Sequence, residues 1–253
     1  MAAKNKFDVI IVGAGPAGLS AAYILTKNTN LQVLILEKGP DCHKRICPLK
    51  DDMSCRKCSP CNILSGVGGA GLFSDGKLNF IHKLGKTDLT QFMSREEAER
   101  LIEETEMIFN RFGMDGPVYP VSLEAARAIQ KNARRYGVDL LLIRQKHLGS
   151  DRLPQHIATM RDYLVEQGVA IHSLEAVLEV LVSRNRVRGV VTRRGKYQAA
   201  NVILAPGRVG AEWIGGVAEK LGIGIFGQNI GRRQPGRPGA HDDNVKFIFC
   251  GHA

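Results

Sequence analysis

The stretch KFDVIIVGAGPAGLSAAYILTKNTNLQVLILEKG, residues 6–39, decides the fold of this chain. Its apolar run Val9–Val12 predicts a parallel strand buried on both faces, because no polar residue alternates with the apolar ones. Apolar residues at helical spacing then predict a helix that ends at Asn28. The run Leu31–Leu36 predicts a second strand. The segment therefore reads as a βαβ unit.

Three glycines with the spacing G-x-G-x-x-G follow the first strand: Gly13, Gly15 and Gly18. The first permits a tight turn, the second lets backbone approach a pyrophosphate, and the third allows close helix packing. Pro16 and Ala17 open the helix, whose free N–H groups and positive dipole end would face phosphates. Glu37, at the end of the second strand, suits a ribose hydroxyl and repels a 2′-phosphate. Because all these parts appear in register, the segment predicts a dinucleotide site for FAD or NAD.

Length and composition describe an ordinary soluble protein. The 253 residues can bury one sizeable core with a small second lobe. The formal net charge of +10 comes from dispersed Lys and Arg, and aromatic residues make up only 6%. This pattern favours a solvated surface and argues against nucleic acid as a partner. No apolar segment is long enough to span a membrane, so we expect no membrane partner and a cytoplasmic location.

Cysteines are concentrated in one short segment. Five of the six lie between Cys42 and Cys61, and the pattern C-x-x-C-x-x-C is preceded by Cys47. Three thiolates at this spacing could hold an iron–sulfur cluster, with Cys47 or Cys42 as the fourth ligand. Zinc in a four-thiolate site, a redox-active thiol pair and unligated thiols in a surface excursion are the alternatives. The metal candidates are Cys47, Cys55, Cys58 and Cys61. Nearby cations could lower the thiol pKa values or could be solvated: Arg45, Lys50, Arg56 and Lys57.

A glycine-rich segment, residues 65–79, follows directly. So many glycines allow backbone to lie against a flat or charged ligand, where a side chain would intrude. Ser74 and Lys77 could meet phosphate or flavin oxygens. A flexible linker is the alternative, but Leu72 and Phe73 are too apolar for one. We therefore expect a structured loop.

The central region predicts helices and one strand. Ser94 and Glu97 form a capping box at the start of an amphipathic helix. A second helix is predicted from Ser122 to Gly137, followed by a strand over Val138–Ile143. His147, in the polar group after that strand, is either a proton donor or substrate contact, or a histidine held by a neighbouring backbone group.

The last third predicts one more helix and a β-meander. The helix runs from Pro154 to Gln167. A buried strand, Val202–Gly207, follows the meander. The predicted meander strands are Ala176–Val182, Val187–Thr192 and Tyr197–Ala199.

This order of elements is similar to that of the two-dinucleotide-binding-domain flavoproteins, in which FAD occupies the N-terminal βαβ unit. Their late strand carries Ala-Thr-Gly, where this chain has Ala205-Pro206-Gly207. More narrowly, C-P before C-x-x-C-x-x-C, then GVGGAGLFSDGKLN, KHLGSD and APGRVGAEW, resembles the largely uncharacterised FAD-dependent, or NAD(FAD)-utilising, dehydrogenases. The resemblance covers roughly residues 7–222.

The resemblance implies an α/β fold: a Rossmann-like FAD/NAD(P)-binding domain with a β-meander and a helical insertion, incomplete at the C-terminus. It also implies FAD as the cofactor, NAD(P)H as electron donor or acceptor, a small-molecule substrate and an electron-transfer partner. Hydride chemistry would belong to the flavin, so no residue is assigned as catalytic.

The same resemblance assigns cofactor contacts. The first glycines and the helix start would meet the pyrophosphate, Glu37 would hold the ribose with Lys38 beside it, and Val177 would offer backbone to adenine. The remaining contacts, on the ribityl or isoalloxazine part and near the late strand, would be Gly68, Gly69, Ala70, Ala205 and Gly207.

The chain also departs from such flavoproteins. They are usually longer and return to a Gly-Asp segment at the ribityl chain, and no Gly-Asp dipeptide occurs here. The composition after residue 225 predicts disorder. We therefore expect a truncated or frame-shifted chain of uncertain activity. The expected divisions are the first part of the FAD-binding domain, an insertion, the return to that domain and an atypical tail: residues 1–90, 91–150, 151–225 and 226–253.

Two other functions remain open from the sequence. One is a thiazole-synthase-like enzyme that uses NAD and glycine, although the glycine-rich, tryptophan-containing segment expected after the acid is absent and Trp213 is the only tryptophan. The other is a non-catalytic iron–sulfur or zinc module on a nucleotide-binding scaffold.

Overall fold

A computed structural model describes residues 5–51, 53–85, 87–149 and 151–223. The chain divides into two compact units. Within the described ranges, the first unit takes in the residues up to Ala70 and those from Arg161 onward, and the second is Gly71–Met160. The second unit contains the whole of the expected insertion. The tail expected at 226–253 lies outside the described residues.

Helices and strands follow one another in an α/β order. The helices are α1 (Pro16–Asn28), α2 (Arg95–Arg111), α3 (Leu123–Arg134), α4 (Leu153–Glu166) and α5 (Ala211–Leu221). The strands up to the end of the insertion are β1 (Val9–Val12), β2 (Val33–Leu36), β3 (Lys77–Phe80), β4 (Lys83–Leu84), β5 (Thr87–Asp88), β6 (Val118–Tyr119) and β7 (Arg144–His147). The later strands are β8 (Ala170–His172), β9 (Val177–Ser183), β10 (Arg186–Thr192), β11 (Gly195–Gln198) and β12 (Asn201–Leu204).

A four-stranded parallel sheet in the order β12-β1-β2-β8 forms the centre of the first unit. All four residues of β1 and of β2 are buried, as the unbroken apolar runs predict. The βαβ unit is confirmed, although β2 begins at Val33 and the two residues before it, Leu31 and Gln32, are exposed. The edge strand β8 was not predicted. Its three residues are too few to show a pattern.

The predicted meander is an antiparallel sheet in the order β11-β10-β9. Its apolar residues share one buried cluster with one face of the parallel sheet. That cluster includes Ile10, Leu34, Val180, Val190 and Tyr197. The core of this unit therefore lies between the two sheets.

The second unit contains a three-stranded antiparallel sheet in the order β3-β7-β6. The N-cap half of the capping box is confirmed, since the Ser94 hydroxyl accepts a hydrogen bond from the Glu97 N–H at 3.1 Å. The strand predicted over Val138–Ile143 is wrong. Val138 and Leu141 are exposed, and the following polar segment is the strand instead. Its residue Lys146 is buried because it pairs with Glu106 at 3.1 Å, a contact that hydrophobic patterning cannot predict.

In the ranges that the structure covers, every helix is too short or too polar to cross a membrane.

Candidate dinucleotide-binding site

At the glycine turn after β1, the backbones of three chain segments lie close together. Gly13 has φ 104°, and its N–H donates to the Leu36 carbonyl at 2.8 Å. A Cβ atom on Gly13 would lie 2.2 Å from the carbonyl oxygen of Ala205, and one on Gly18 would lie 1.9 Å from that of Gly13. Both positions require glycine, because no side chain fits between these backbones. The first and third glycines therefore act as the motif predicts.

The start of α1 presents unpaired backbone donors. Gly15 is its N-cap, Pro16 occupies the first turn and no acidic residue follows there. Among the described residues, the N–H groups of Gly15, Ala17 and Gly18 donate to no protein acceptor. Free N–H groups at a helix N-terminus form an anion site. This donor set fits the diphosphate of a dinucleotide.

The carboxylate of Glu37 is buried and accepts three backbone hydrogen bonds. Ala14 donates to Oε2 at 2.8 Å, and Gly39 and Gly66 donate to Oε1 at 2.8 and 3.0 Å. A carboxylate has about four acceptor positions, so one remains for a hydroxyl donor such as a ribose 2′- or 3′-OH. Glu37 thus joins three parts of the chain: the glycine turn, the end of β2 and the glycine-rich segment of residues 65–79. We call residues 65–79 the second glycine-rich segment. The motif did not predict this internal role.

Arg45 fastens the second glycine-rich segment from the opposite side. Its guanidinium donates to the carbonyls of Asn62, Ile63, Val67 and Gly69 at 2.7 to 2.9 Å. Burial lowers the pKa of Arg45 to about 10. The interpretation of Arg45 as a solvated cation is therefore wrong. No local sequence signal could have revealed four carbonyl partners that lie 17 to 24 residues away.

Two further glycines of this segment, Gly68 and Gly69, pack against the first turn. Gly68 donates to the Ala14 carbonyl at 2.8 Å. A Cβ atom on Gly69 would lie 3.2 Å from the Cα of Gly15. Ala70 begins a short 3₁₀ helix that ends at Phe73. The segment is a structured loop, as expected.

Four further predicted contacts lie on the same side of the unit. Ala205 donates to the Val12 carbonyl at 2.8 Å, and Gly207 has φ 63°. The Lys38 ammonium donates to the Val209 carbonyl at 3.2 Å. Val177 is buried at the start of β9. The structure therefore places these residues around the carboxyl ends of β1, β2 and β12, where ligands bind in open α/β sheets.

A second buried carboxylate, Glu175, was missed by sequence reasoning. It accepts hydrogen bonds from Thr192 at 2.8 Å, Tyr197 at 2.9 Å and Arg194 at 3.1 Å. His172 Nδ1 lies 3.3 Å from Glu175 Oε2. Burial and the hydrogen bond to Glu175 raise the pKa of Tyr197 to about 12. We call these five residues the Glu175 cluster.

The cysteines do not converge in the described part of the chain. Cys55 and Cys58 are exposed, Cys47 and Cys61 are half-buried, and no three of these sulfurs lie within 4.8 Å of one another. A tighter group is formed by the neighbours Asp41, Cys42 and His43. Burial and a hydrogen bond to Asp41 raise the pKa of Cys42 to about 12, which disfavours the thiolate that a metal needs. Asp41 is also held by Arg161 at 2.8 Å.

The candidates in the second unit have protein partners of their own. The Ser74 hydroxyl donates to the Gly71 carbonyl at 2.7 Å, and Lys77 pairs with Asp75 at 2.8 Å. His147 is exposed and lies directly opposite Lys77 on the neighbouring strand.

The sequence comparisons single out the βαβ unit. The profile of the Thi4 family matches residues 1–40. The chloroplastic thiamine thiazole synthase of Arabidopsis thaliana is 64% identical over 32 residues, which are 13% of this chain and 9% of that protein. The chloroplastic enzyme of Citrus sinensis is 61% identical over 32 residues, again 13% of this chain and 9% of that protein. The sequence similarity is thus confined to a small part of this chain and of each relative.

Similarity to solved structures extends over most of the chain. The L-amino acid deaminase of Proteus vulgaris, with its specific insertion sequence deleted, matches with a TM-score of 0.51 and 18% identity over 88% of this chain and 58% of that one. Glycine oxidase of Geobacillus kaustophilus matches with a TM-score of 0.52 and 16% identity over 88% of this chain and 60% of that one. The chain therefore spans less than two thirds of these structures. Its described part shares the α/β fold of these two structures, with a parallel sheet at the centre of the first unit.

Proposed function

We propose that this chain binds FAD and forms the nucleotide-binding part of an FAD-dependent oxidoreductase that acts on a small organic substrate. The observation that carries the proposal is the pairing of unsatisfied N–H groups at the start of α1 with the buried carboxylate of Glu37. The flavin, when bound, supplies hydride or electron transfer. The NAD(FAD)-utilising dehydrogenases are the proposed family, with NAD(P)H as a proposed electron donor or acceptor.

The residues of the site would bind and orient the cofactor. The N–H groups of Gly15, Ala17 and Gly18 would donate to the diphosphate, and the absence of an acid in the first turn of α1 leaves its positive end uncompensated. The last acceptor position of Glu37 would take a ribose hydroxyl. Two residues would hold the second glycine-rich segment in place. Glu37 accepts a hydrogen bond from one of its N–H groups, and Arg45 donates to its carbonyl groups.

The test is a titration of the purified protein with FAD and with ADP, together with Ala17→Asp. The added carboxylate favours the helix dipole but repels a diphosphate, so the thermal stability should be kept or raised while FAD and ADP affinity falls at least about tenfold. Ala125→Asp makes the same change near the start of α3 and should leave both affinities unchanged. The proposal fails if the wild-type protein binds neither ligand, or if Ala17→Asp binds as the wild type does.

A thiazole-synthase-like enzyme is the second candidate, favoured by the Thi4 match at residues 1–40. That match covers the part of the chain that both candidates need for their dinucleotide. Parallel titrations with NAD and FAD separate them, because this candidate requires tighter binding of NAD.

A further inference from the structure

The Glu175 cluster lies next to Glu37 and surrounds a buried carboxylate, although the Arg194 side chain is exposed. The Glu175 N–H donates to the Glu37 carbonyl at 2.8 Å, the Leu174 N–H to the Gly39 carbonyl at 2.8 Å and the Glu37 N–H to the His172 carbonyl at 2.9 Å. Three backbone hydrogen bonds thus fasten the chain from His172 to Glu175 along the end of β2. The main chain of Glu37 is held by the same segment that carries the second buried carboxylate.

The Glu175 side chain connects this segment to the meander. Thr192 ends β10, Arg194 lies in the turn and Tyr197 lies in β11, and all three donate to the carboxylate. The side chain of Glu175 is only 1% exposed. A buried carboxylate is costly unless its oxygens are fully hydrogen-bonded, so the network sets one position for the meander relative to Glu37.

The backbone before Glu175 is strained. Leu174 has φ 54°, in the left-handed region that leucine rarely adopts, and its side chain is exposed. Strain of this kind persists only where surrounding contacts enforce it, and it concentrates at functional sites. Here it turns the chain sharply after β8, so that Glu175 points inward and β9 begins at Val177.

We propose that Glu175, through its cluster, is the positioning residue of the adenosine end of the cofactor site. It sets the distance between Glu37, which would hold the ribose, and the start of β9 at Val177, which would meet the adenine. This inference rests on the proposed function, and it goes further by naming the residue that would fix the geometry of the adenosine end of that site.

Tyr197→Phe tests the proposal with little change in shape. It removes one donor from a buried carboxylate and keeps the ring that packs in the core. We expect ADP to bind about tenfold more weakly, because a carboxylate that lacks one donor no longer fixes the segment that holds the Glu37 main chain. We also expect the ratio of the GDP to the ADP dissociation constant to fall towards one. Thr192→Val, which removes another donor, should act in the same direction.

Tyr136→Phe is the matched control, because it removes an exposed tyrosine hydroxyl just after α3, outside the cluster. It should leave both dissociation constants unchanged. Unchanged ADP affinity in Tyr197→Phe would overturn the proposal, and so would equal weakening of ADP and GDP, which indicates general loosening. If the wild-type protein binds no ADP, the proposed function fails as well. If the wild type binds ADP but the variants keep its purine preference, only the positioning role fails.

Discussion

The carboxylate of Glu37 accepts a hydrogen bond from the N–H of Gly66 at 3.0 Å, across 29 residues of sequence. The same side chain accepts from Ala14 and Gly39. Glu37, which the motif assigns to a ribose, therefore also stabilises the fold by hydrogen bonds within the protein. Its replacement should affect stability without any ligand present.

Glu37→Gln should lower the free energy of unfolding by about 2 kcal/mol, because the amide NH₂ would face a buried backbone N–H and leave it unpaired. Urea unfolding followed by circular dichroism measures this change. Glu219→Gln, at an exposed position of α5, is the control and should be neutral. Equal midpoints for wild type and Glu37→Gln would contradict the internal role.

Gly18→Ala should destabilise the protein by about 3 kcal/mol and abolish cofactor binding, because its Cβ atom would lie 1.9 Å from the Gly13 carbonyl oxygen. Gly216→Ala makes the same change in α5, where no atom lies within 4 Å of the new methyl group. It should stabilise the protein by up to about 1 kcal/mol. Thermal unfolding measures the stability of both variants. Equal changes in stability for Gly18→Ala and Gly216→Ala would refute the steric argument.

Arg45→Lys should cost about 3 kcal/mol of stability, since an ammonium group cannot reach the four carbonyls that the guanidinium serves. Arg188→Lys, at an exposed position of β10, provides the comparison and should unfold as the wild type does. Chemical unfolding curves of the two variants would be compared. If Arg45→Lys also matched the wild type, Arg45 would have no clamping role.

Cysteine alkylation should separate two classes of thiol. The pKa of Cys42 is raised from 9.0 to about 12, so its thiol stays protonated in the folded protein at pH 8. The exposed Cys55 and Cys58 should react with iodoacetamide, and Cys42 should react only after unfolding. Mass spectrometry of the peptides gives the extent of modification at each site. Rapid labelling of Cys42 in the folded protein would count against its burial.

The same shift makes stability depend on pH. The raised pKa favours the folded state while the thiol is protonated in both states, and the contribution is lost as pH rises from about 9 to about 12. Unfolding midpoints of the wild type should therefore fall faster over this interval than those of Cys42→Ser.

Local patterns predicted much of the fold of the first unit. The βαβ unit and the meander each depend on residues close together in sequence, so periodicity and glycine spacing were sufficient. The strand predicted over Val138–Ile143 shows the limit of this approach. An apolar run becomes a strand only where a partner strand is available, and the partner of β3 is the polar segment Arg144–His147.

The sequence by itself determined the glycine turn, the free N–H groups at the start of α1 and the acid at the end of β2. These features follow from steric and backbone requirements within residues 6–39. Only the tertiary structure decided that Glu37 accepts three buried N–H groups, that Arg45 clamps the second glycine-rich segment and that Glu175 joins the meander to the sheet. The physical reason is that a buried charge needs partners from distant segments, and folding alone brings those partners together.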